Sequence, residues 1–383
     1  MKGKVLVLTN FIAGLHSFRK EVMKAIVDEG YEVYISVPDS DDGRIEYFEG
    51  IGCHIIKTEL DRRGMNPLKD LKLFLSYRKL IQQLRPVAVL TYTIKPNVYG
   101  GMACRLCGVP QLANVTGLGD AVENGGLMQK LTVTLYRMGL NKAKCVFFQN
   151  QANRNFCLNH RIHGQETQLL PGSGVSLKHH KYQEYPADGV IRFLFISRLL
   201  KDKGTDEFFE MAKVIKGKYP QTEFQILGWI EGNYQQQLEE LVSQGVVNHL
   251  GSTSDVRPYL TNVHCTIMPS YHEGMSNVNL ESAANGRPVI TTNVPGCKET
   301  VEDGRTGYLV KPRDAHELIV AVERFLSITH GQKKQMGINA RNKVEREFDR
   351  NIVVKAYLEW IERIRTGLSS EPLDELQNLN TDL

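Results

Sequence analysis

Short apolar runs alternate with segments of helical pattern along most of this chain of 383 residues. The predicted strands of the first half are Val5–Leu8, Glu32–Val37, His54–Lys57, Val87–Tyr92, Gln111–Thr116, Cys145–Gln149 and Thr167–Leu170. Those of the second half are Phe193–Ile196, Glu223–Leu227, Val246–Leu250, Val263–Met268, Pro288–Thr292 and Gly307–Val310. Apolar strands separated by helices indicate parallel sheets that are covered on both faces. We therefore predict an α/β protein with two doubly wound domains facing a central cleft, where ligands bind at the carboxyl ends of the strands.

A polar stretch rich in His, Lys, Tyr and Pro, residues 178–188, separates the two series of strands. It predicts an N-terminal domain over residues 1–177 and a C-terminal domain over residues 189–350. A final helix is expected over residues 351–365, with its apolar side chains on one stripe. Residues 368–383 combine Ser, Asn, Asp, Glu and Pro with isolated leucines, and we expect them to be disordered.

Composition excludes several classes of protein. A formal net charge of +4 is too small for this length to indicate bulk attraction to nucleic acid. No window approaches the roughly twenty apolar residues that span a bilayer, and the segment from Met1 leads into a strand without the pattern of a signal peptide. Seven irregularly spaced cysteines argue against a disulfide framework, and the isolated pair Cys104 and Cys107 is expected to be buried packing. We expect a cytosolic protein.

Two glutamates, Glu273 and Glu281, bracket a short Gly-containing loop and the start of a predicted helix. A strand that ends at Met268 would deliver Glu273 and the following backbone amides to one point. Those amides belong to Gly274, Met275, Ser276 and Asn277. Unpaired N–H groups at a helix N-terminus suit a phosphate, and the carboxylates can accept hydrogen bonds from sugar hydroxyls. The loop can thus hold a nucleotide-sugar, the alternative being a turn cap and a solvated helix face.

The turn after the first strand of the second half carries Arg198 and Lys203. Two cations at the carboxyl end of a strand can converge on a diphosphate, where they would stabilise the charge of a leaving nucleoside diphosphate. Gly228 ends the next strand, and a turn containing Ser252 and Thr253 follows another. These positions extend the predicted donor site.

These motifs resemble the retaining nucleotide-sugar glycosyltransferases of family 4, which have the GT-B fold of two Rossmann-like domains. In that family the first glutamate, matched by Glu273, lies near the donor sugar, and the second, matched by Glu281, binds the ribose hydroxyls. The family also carries an Arg and a Lys matched by Arg198 and Lys203, and the turn with Ser252 and Thr253 lies against the base. The resemblance implies that a C-terminal helix, about residues 351–367, crosses back to the first domain.

The first half most closely resembles bacterial transferases that extend polyprenyl-diphosphate-linked oligosaccharides, including N-acetylgalactosaminyltransferases. The matching stretches are Ser17–Arg19, Met65–Pro67, Thr93–Asn97 and Gly117–Gly119. The predicted first loop, Thr9–Arg19, has only Gly14 where many family members have paired glycines. Gly14 is placed with the donor-binding residues. Acceptor binding is assigned to His16, Lys95, Thr116 and Gly117, with Lys95 expected to meet the acceptor diphosphate.

The resemblance implies a retaining enzyme that moves a sugar from a UDP-sugar to a polyprenyl-diphosphate-linked saccharide in bacterial surface polysaccharide or glycan synthesis. An N-acetylhexosamine is favoured, with N-acetylgalactosamine (GalNAc) first. The alternatives are a UDP-sugar 2-epimerase, which shares the two-domain fold, and a non-catalytic nucleotide-sugar-binding protein. No metal or other cofactor is expected, because cations and amides already neutralise the diphosphate. Asp39 and Asp41 form a rival metal site, although an acidic helix start is favoured there.

A helix that begins at Asn66–Pro67 has basic residues around it and an apolar side. The basic residues are Arg62, Arg63, Lys69, Lys72, Arg78 and Lys79, and the apolar ones are Leu68, Leu71, Phe74 and Leu75. Such a helix can lie on an anionic membrane surface, the alternative being a packed helix with a solvated face. Because the implied acceptor is lipid-linked, we expect peripheral attachment at the inner face of the cytoplasmic membrane.

Overall fold

The computed structural model contains two parallel β-sheets, one in each half of the chain, and describes residues 1–38, 41–61, 64, 66–117 and 126–368. The first sheet consists of β1 (Lys4–Leu8), β2 (Glu32–Val37), β3 (Cys53–Lys57), β4 (Ala88–Tyr92), β5 (Gln111–Val115), β6 (Cys145–Phe148) and β7 (Glu166–Leu169). The second consists of β8 (Ile191–Ile196), β9 (Thr222–Leu227), β10 (Asn248–His249), β11 (Cys265–Met268), β12 (Val289–Thr292) and β13 (Gly307–Val310).

The spatial orders are β3-β2-β1-β4-β5-β6-β7 and β10-β9-β8-β11-β12-β13, and all neighbouring strands are parallel. Strand order therefore reverses between β1 and β4 and again between β8 and β11. In doubly wound sheets such points open a crevice at the carboxyl ends of the strands. The predicted α/β class with two doubly wound sheets is confirmed.

Helices cover both sheets. Within the described residues they are α1 (Ile12–Asp28), α2 (Asp42–Gly50), α3 (Pro67–Leu84), α4 (Gly101–Cys107), α5 (Gly126–Leu140), α6 (Gln151–Asn159), α7 (Thr205–Lys218), α8 (Gln235–Ser243), α9 (Arg257–Leu260), α10 (Asn277–Ala284), α11 (Ala315–Ser327), α12 (His330–Glu347) and α13 (Arg350–Thr366). A π-helical turn, Pro96–Gly100, precedes α4, and 3-10 turns lie at Lys201–Lys203 and Lys298–Thr300. No helix in the described part of the chain is both long and apolar enough to span a bilayer.

The central strands are mostly apolar because they are buried on both faces, whereas the edge strands β3, β7 and β10 are partly exposed. On β1, Val5 and Val7 join the core formed with α1 and α13, whereas Leu6 and Leu8 join the core formed with α3 and α4. Successive side chains of a strand point to opposite faces, so one strand supplies both cores. This double burial explains why continuous apolar runs, rather than alternating ones, mark the strands.

Helix α13 starts next to the second half of the chain and packs on the first sheet. Its predicted apolar stripe, Val353, Tyr357, Trp360 and Ile361, is buried in the core that contains β1, β2 and α1. Asn114 Nδ2 donates to the Tyr357 hydroxyl at 2.6 Å, and Trp360 Nε1 donates to Gln168 Oε1 at 2.6 Å. The predicted crossing helix is thus confirmed.

Local details differ from the sequence predictions. The stretch 9–19 is not one loop, because α1 begins at Ile12. Its buried positions Ile12, Leu15, Val22, Met23 and Ile26 follow helical spacing, and packing of that face outweighs the cost of the glycine at position 14. The expected strand over 246–250 is reduced to Asn248–His249. All seven cysteines are free thiols, and Cys104 is buried.

The domain limits at residues 177 and 189 remain predictions; β7 ends at Leu169 and β8 begins at Ile191. The predicted disordered tail lies outside the described residues except for Leu368.

Removing the Trp360 side chain should destabilise the first half of the chain. We expect Trp360→Ala to lower its free energy of unfolding by about 3–5 kcal/mol, because a buried indole and its hydrogen bond to Gln168 are lost. Lys355→Ala on the same helix is the control, since its side chain is 79% exposed. Urea titration of both variants tests this, and equal midpoints would contradict the anchoring role of α13.

Candidate active site

Lys203 and Glu273 meet at the carboxyl ends of two adjacent strands. Lys203 closes the 3-10 turn after β8, Glu273 lies in the loop after β11, and β8 pairs with β11 in parallel. Lys203 Nζ lies 2.8 Å from Glu273 Oε1, and Ser270 Oγ donates to the same oxygen at 3.0 Å. The two side chains are only 13% and 19% exposed. The pair is therefore held in a fixed position with part of its surface open to a ligand.

Arg198 lies in the same turn but pairs with a different carboxylate. Its Nη1 is 2.7 Å from Glu231 Oε2, which follows β9, the strand on the other side of β8. Gly228 lets the chain after β9 lie close to the chain after β8, since a Cβ at position 228 would be 1.7 Å from the Ser197 carbonyl oxygen. The predicted two cations thus occupy one edge of the sheet, each beside a glutamate. Glu231 was missed by the sequence reasoning, although it lies three residues after the glycine that ends β9.

The amide cluster at the start of α10 is smaller than predicted. Ser276 is the N-cap residue, with its hydroxyl accepting from the Asn279 amide at 3.3 Å, and its own amide donates to the Gly296 carbonyl at 2.7 Å. This corrects the expectation that the Ser276 amide serves a phosphate. Met275 is buried in an apolar cluster with Val175, so its side chain belongs to the core.

Asn277 is engaged from the other half of the chain, because the Ser173 hydroxyl donates to its Oδ1. Ser173 belongs to the segment that leaves the first sheet after β7. The loop between β11 and α10, called the donor loop below, is therefore in contact with the segment that joins the two sheets.

Glu281 lies one turn into α10 in a mostly buried position. Burial raises the pKa of this carboxyl to about 7, against the opposing effect of Arg350, and Asp255 raises it further. His180 Nε2 is 4.0 Å from Glu281 Oε1, and burial lowers the pKa of this histidine to about 4, so the imidazole is neutral at pH 7. Glu281 therefore changes its charge close to neutral pH.

The turn with Ser252 and Thr253 is exposed, and its side chains form hydrogen bonds within the turn. The Thr253 hydroxyl accepts from the Asp255 amide at 3.0 Å, and Asp255 forms a two-point pair with Arg257 at 2.8 Å for each contact. A cavity of about 480 Å³ lies between this turn and the linker. Its lining residues are Lys178, His179, Lys181, Gln183, Asp255, Arg257, Pro258 and Thr261.

Two of the residues assigned to the first half's ligand loop are helical. Gly14 lies in the first turn of α1, where a Cβ would be 3.1 Å from the Phe11 ring. His16 also lies in α1, with its ring edge-on to Tyr47 of α2 at 4.8 Å between centroids. Burial, with smaller effects of Lys20 and Arg44, lowers the pKa of His16. The structure thus places His16 in the packing of α1 against α2, which corrects the expectation of a histidine on a ligand loop.

Lys95 lies after β4 and is paired with an acidic residue of α3. Its Nζ is 2.5 Å from Asp70 Oδ1, and the Tyr99 hydroxyl donates to Asp70 Oδ2 at 2.9 Å. Thr93, two residues earlier, has φ 72°, an unusual conformation for a β-branched residue and one that concentrates at functional sites. Asp70 was missed because it lies 25 residues before its partner and looks like an ordinary acidic residue in the first turn of a helix.

Thr116 and Gly117 lie against the donor loop. A Cβ on Gly274 would be 1.7 Å from the Thr116 carbonyl oxygen, and a Cβ on Gly117 would be 4.0 Å from Gly274 Cα. Gly119, part of the same predicted turn, lies outside the described residues. The acceptor-side turn and the donor loop thus meet directly.

The rival metal site is not supported in the described part of the chain. Asp39 lies outside the described residues, and Asp41 is the N-cap of α2, where it accepts from the Arg44 amide at 3.3 Å. Within the described ranges no three His, Cys, Asp or Glu side chains are grouped closely enough to hold a metal ion.

Comparison with known proteins identifies both halves. Residues 4–150 match the model of "Glycosyl transferase 4-like" proteins, and residues 191–327 match that of "Glycosyl transferases group 1". The chain is 26% identical to the N,N'-diacetylbacillosaminyl-diphospho-undecaprenol alpha-1,3-N-acetylgalactosaminyltransferase of Campylobacter jejuni, over 92% of this chain and 96% of that protein. It is 24% identical to the capsular polysaccharide biosynthesis glycosyltransferase CapM of Staphylococcus aureus, over 83% and 87%.

Solved structures share the fold. HepE of Anabaena, in complex with UDP and glucose, superimposes with a TM-score of 0.74 at 17% identity, covering 94% of this chain and 99% of that one. Sucrose-phosphate synthase of Thermosynechococcus elongatus gives a TM-score of 0.77 at 19% identity, covering 96% and 100%. With both halves matched in order, the chain belongs to the family 4-like glycosyltransferases of GT-B fold and is a hexosyltransferase.

Proposed function

We propose that this enzyme transfers an N-acetylhexosamine, with GalNAc favoured, from a UDP-sugar to a polyprenyl-diphosphate-linked saccharide. The observation that carries the proposal is the Lys203–Glu273 pair, a fixed cation and carboxylate at the point where two parallel strands end. The C. jejuni relative, similar over nearly its whole length, is named for the transfer of N-acetylgalactosamine to an undecaprenol-diphosphate-linked sugar. A capsule enzyme among the relatives supports a role in bacterial surface polysaccharide synthesis.

In this proposal the two cations and the two glutamates have different roles. Lys203 and Arg198 stabilise negative charge on the departing diphosphate, which is the group that gains charge as the glycosidic bond breaks. Glu273 orients the donor sugar, and Glu281 accepts hydrogen bonds from the ribose hydroxyls. The acceptor hydroxyl attacks from the face that the diphosphate leaves, and a phosphate oxygen of the leaving group takes its proton. The anomeric configuration is thus retained.

No general base is assigned to the chain. His16, the histidine first placed near a ligand loop of the N-terminal domain, instead packs against Tyr47. A substrate oxygen as base fits this arrangement. Because Arg198 and Lys203 supply positive charge to the diphosphate, we also expect no metal requirement.

Transfer should require both substrates. Purified protein incubated with a panel of UDP-sugars should release UDP and form product only when a lipid-diphosphate-linked saccharide is added, and should do so in EDTA. NMR of the product should show the donor's anomeric configuration. Interconversion of UDP-sugars without acceptor would indicate the 2-epimerase alternative, and UDP-sugar binding without turnover would indicate the non-catalytic alternative. Loss of activity in EDTA that manganese restores would contradict metal independence.

Lys203→Ala should lower kcat by roughly a hundredfold or more, about 2.7 kcal/mol in the barrier, because a fixed cation at the leaving group is lost. Arg198→Ala is expected to act in the same direction. Lys201→Ala is the matched control, since Lys201 lies in the same turn with an exposed side chain. Steady-state kinetics with a melting curve for each variant test this. Near-normal turnover by folded Lys203→Ala would remove the diphosphate role.

Affinity for the UDP-sugar should rise as the pH is raised from about 6 to about 8. The pKa of Glu281 is about 7, so the carboxyl loses its proton in this range, and the ionised form is the better acceptor for two ribose hydroxyls. Of the groups facing Glu281, Asp255 is already ionised because its hydrogen bond from Arg257 lowers its pKa, and His180 stays neutral. Calorimetric titrations should show weaker, pH-independent binding by Glu281→Gln. If affinity for the UDP-sugar depended on pH in the same way in wild type and in Glu281→Gln, the role of Glu281 in ribose binding would be refuted.

A membrane-facing role for α3 gains support from its exposed leucines. Leu68, Leu71 and Leu75 are 78%, 54% and 49% exposed, whereas Leu73 and Tyr77 face the core. Phe74, the fourth residue of the predicted apolar side, instead packs against that core. The helix therefore has two apolar faces, and within the described residues one of them packs on the core while the other is exposed. We propose that the solvent-facing stripe, with nearby basic residues, attaches the enzyme to anionic membranes from which it takes its acceptor.

Of the basic residues, Arg62 and Arg63 lie outside the described residues. Lys69 and Lys72 flank the stripe and form exposed pairs with Asp61 and Glu59. Such exposed pairs are weak, so both lysines can also attract anionic lipid.

Liposome co-sedimentation tests this attachment. Wild type should bind anionic vesicles at low salt and be released at high salt, as the Debye length falls from about 10 Å at 0.1 M to about 3 Å at 1 M. Neutralising Arg62, Arg63, Lys69 and Lys72 should weaken binding, and so should changing Leu68, Leu71 and Leu75 to Ser. Val242→Ser, an exposed apolar residue of the other half, is the control. Equal binding by all variants would leave α3 as ordinary packing.

A further inference from the structure

The backbone of Gly274, the residue after Glu273, is contacted by the other half of the chain. The Gly274 carbonyl oxygen accepts a hydrogen bond from Asn150 Nδ2 at 2.7 Å. A Cβ on Gly274 would lie 1.7 Å from the Thr116 carbonyl oxygen and 3.0 Å from Gln149 Oε1. No side chain fits at position 274, so close approach of two backbones, rather than an unusual φ, requires the glycine. The first half of the chain thus reaches the backbone of the donor loop.

Asn150 uses both ends of its side-chain amide. It follows β6 and is the N-cap of α6, where its Oδ1 accepts from the Asn153 amide at 2.8 Å. It is 1% exposed. Because the cap fixes the oxygen, the NH₂ group is fixed toward Gly274. A helix cap of the first half and a hydrogen bond to the donor loop therefore come from one rigid side chain.

Further restraints on this part of the loop come from the second half. Glu273 Oε1 accepts from Lys203 and Ser270, and the Ser276 amide donates to the Gly296 carbonyl. A Cβ on Gly296 would lie 2.4 Å from the Glu273 carbonyl oxygen. The backbone of Glu273 and Gly274 thus lies between Gly296 on one side and the segments after β5 and β6 on the other.

We propose that Asn150 is a positioning residue for the transfer reaction. This side chain couples the contact between the two halves of the chain to the orientation of Glu273. It does not touch substrate; it acts through the Gly274 peptide. This inference rests on the proposed function, in which the Glu273 carboxylate orients the donor sugar. Misplacing a catalytic group by about 1 Å can cost roughly a hundredfold in rate, so one interdomain hydrogen bond at this peptide is well placed to control turnover.

Asn150→Asp separates positioning from stability. Aspartate caps a helix as well as asparagine does, so α6 keeps its acceptor, but the second oxygen cannot donate to Gly274 and repels its carbonyl. We expect kcat of the folded protein to fall about tenfold or more, while the Kd for UDP stays close to wild type; the melting temperature also falls, because a buried carboxylate replaces a hydrogen-bond donor. A merely structural role would lower the melting temperature and leave kcat of the folded fraction unchanged.

Asp314→Asn is the matched control. Asp314 caps α11 through the Glu317 amide at 2.9 Å, so the exchange repeats the Asp/Asn change at a cap outside the donor site. It should keep wild-type kcat. A fall in kcat equal to that of Asn150→Asp would show that the effect comes from altered caps in general and would overturn the proposal.

Gly274→Ala disrupts the same contact from the side of the donor loop, because the new methyl group would collide with the Thr116 carbonyl oxygen. If both substitutions act through one contact, the double variant should be no slower than Gly274→Ala alone. If the two substitutions instead multiplied their effects on kcat in the double variant, the proposal would be overturned. A wild-type kcat in Asn150→Asp would also overturn it. Absence of transfer by the wild type with every donor and acceptor would instead refute the proposed function. The two failures are therefore distinguishable.

Discussion

The parallel pairing of β8 with β9 on one side and β11 on the other determines where the charged groups of the site lie. Parallel strands end at the same edge of a sheet, so residues that follow different strands come together there. Lys203 follows β8, Glu231 follows β9 and Glu273 follows β11. Both ion pairs of the donor side arise in this way from residues 33 and 70 positions apart. No local motif could produce them.

These pairs set the electrostatics of the donor side. Two cations at one edge of the sheet would repel each other, and a carboxylate beside each one offsets that cost. The arrangement also keeps each cation in place before a diphosphate arrives, which is the condition for charge stabilisation without reorganisation. Burial dominates the pKa of Glu281, against the opposing effect of Arg350.

The sequence predicted the fold well because the fold depends on patterns repeated many times. Most of the thirteen strands are apolar and buried on both faces, which leaves few arrangements other than two parallel sheets, and the stripe of α13 requires an apolar partner. The start of α1 was missed because its N-cap, Phe11, makes no side-chain capping hydrogen bond and Gly14 suggests a loop. Strand β10 was overestimated because apolar residues before it, such as Val247, are buried outside the ladder.

The site was predicted in its residue types but not in its partners. Single residues such as Lys203 and Glu273 stand out by type and spacing, whereas Asp70 and Asn150 look like routine helix-terminal residues. Their contacts to Lys95 and Gly274 depend on three-dimensional placement. The Ser276 amide shows the same limit, since the carbonyl that accepts its hydrogen bond lies twenty positions further along the chain, at Gly296. A helix N-terminus identified from sequence therefore does not reveal which of its amides are free for a ligand.

Arg350 shows how the crossing helix and the donor site depend on each other. At the first residue of α13, its guanidinium bonds both oxygens of Glu21 at 2.9 Å and the Gly174 carbonyl at 3.1 Å. The same charge lowers the pKa of Glu281 against the effect of burial. One cation thus fixes α13 to α1, holds the segment that joins the sheets and adjusts a carboxylate of the donor site. Because Arg350 lowers the pKa of Glu281, a shift of Arg350 relative to α10 would change that pKa, which links the placement of the crossing helix to the chemistry of the site.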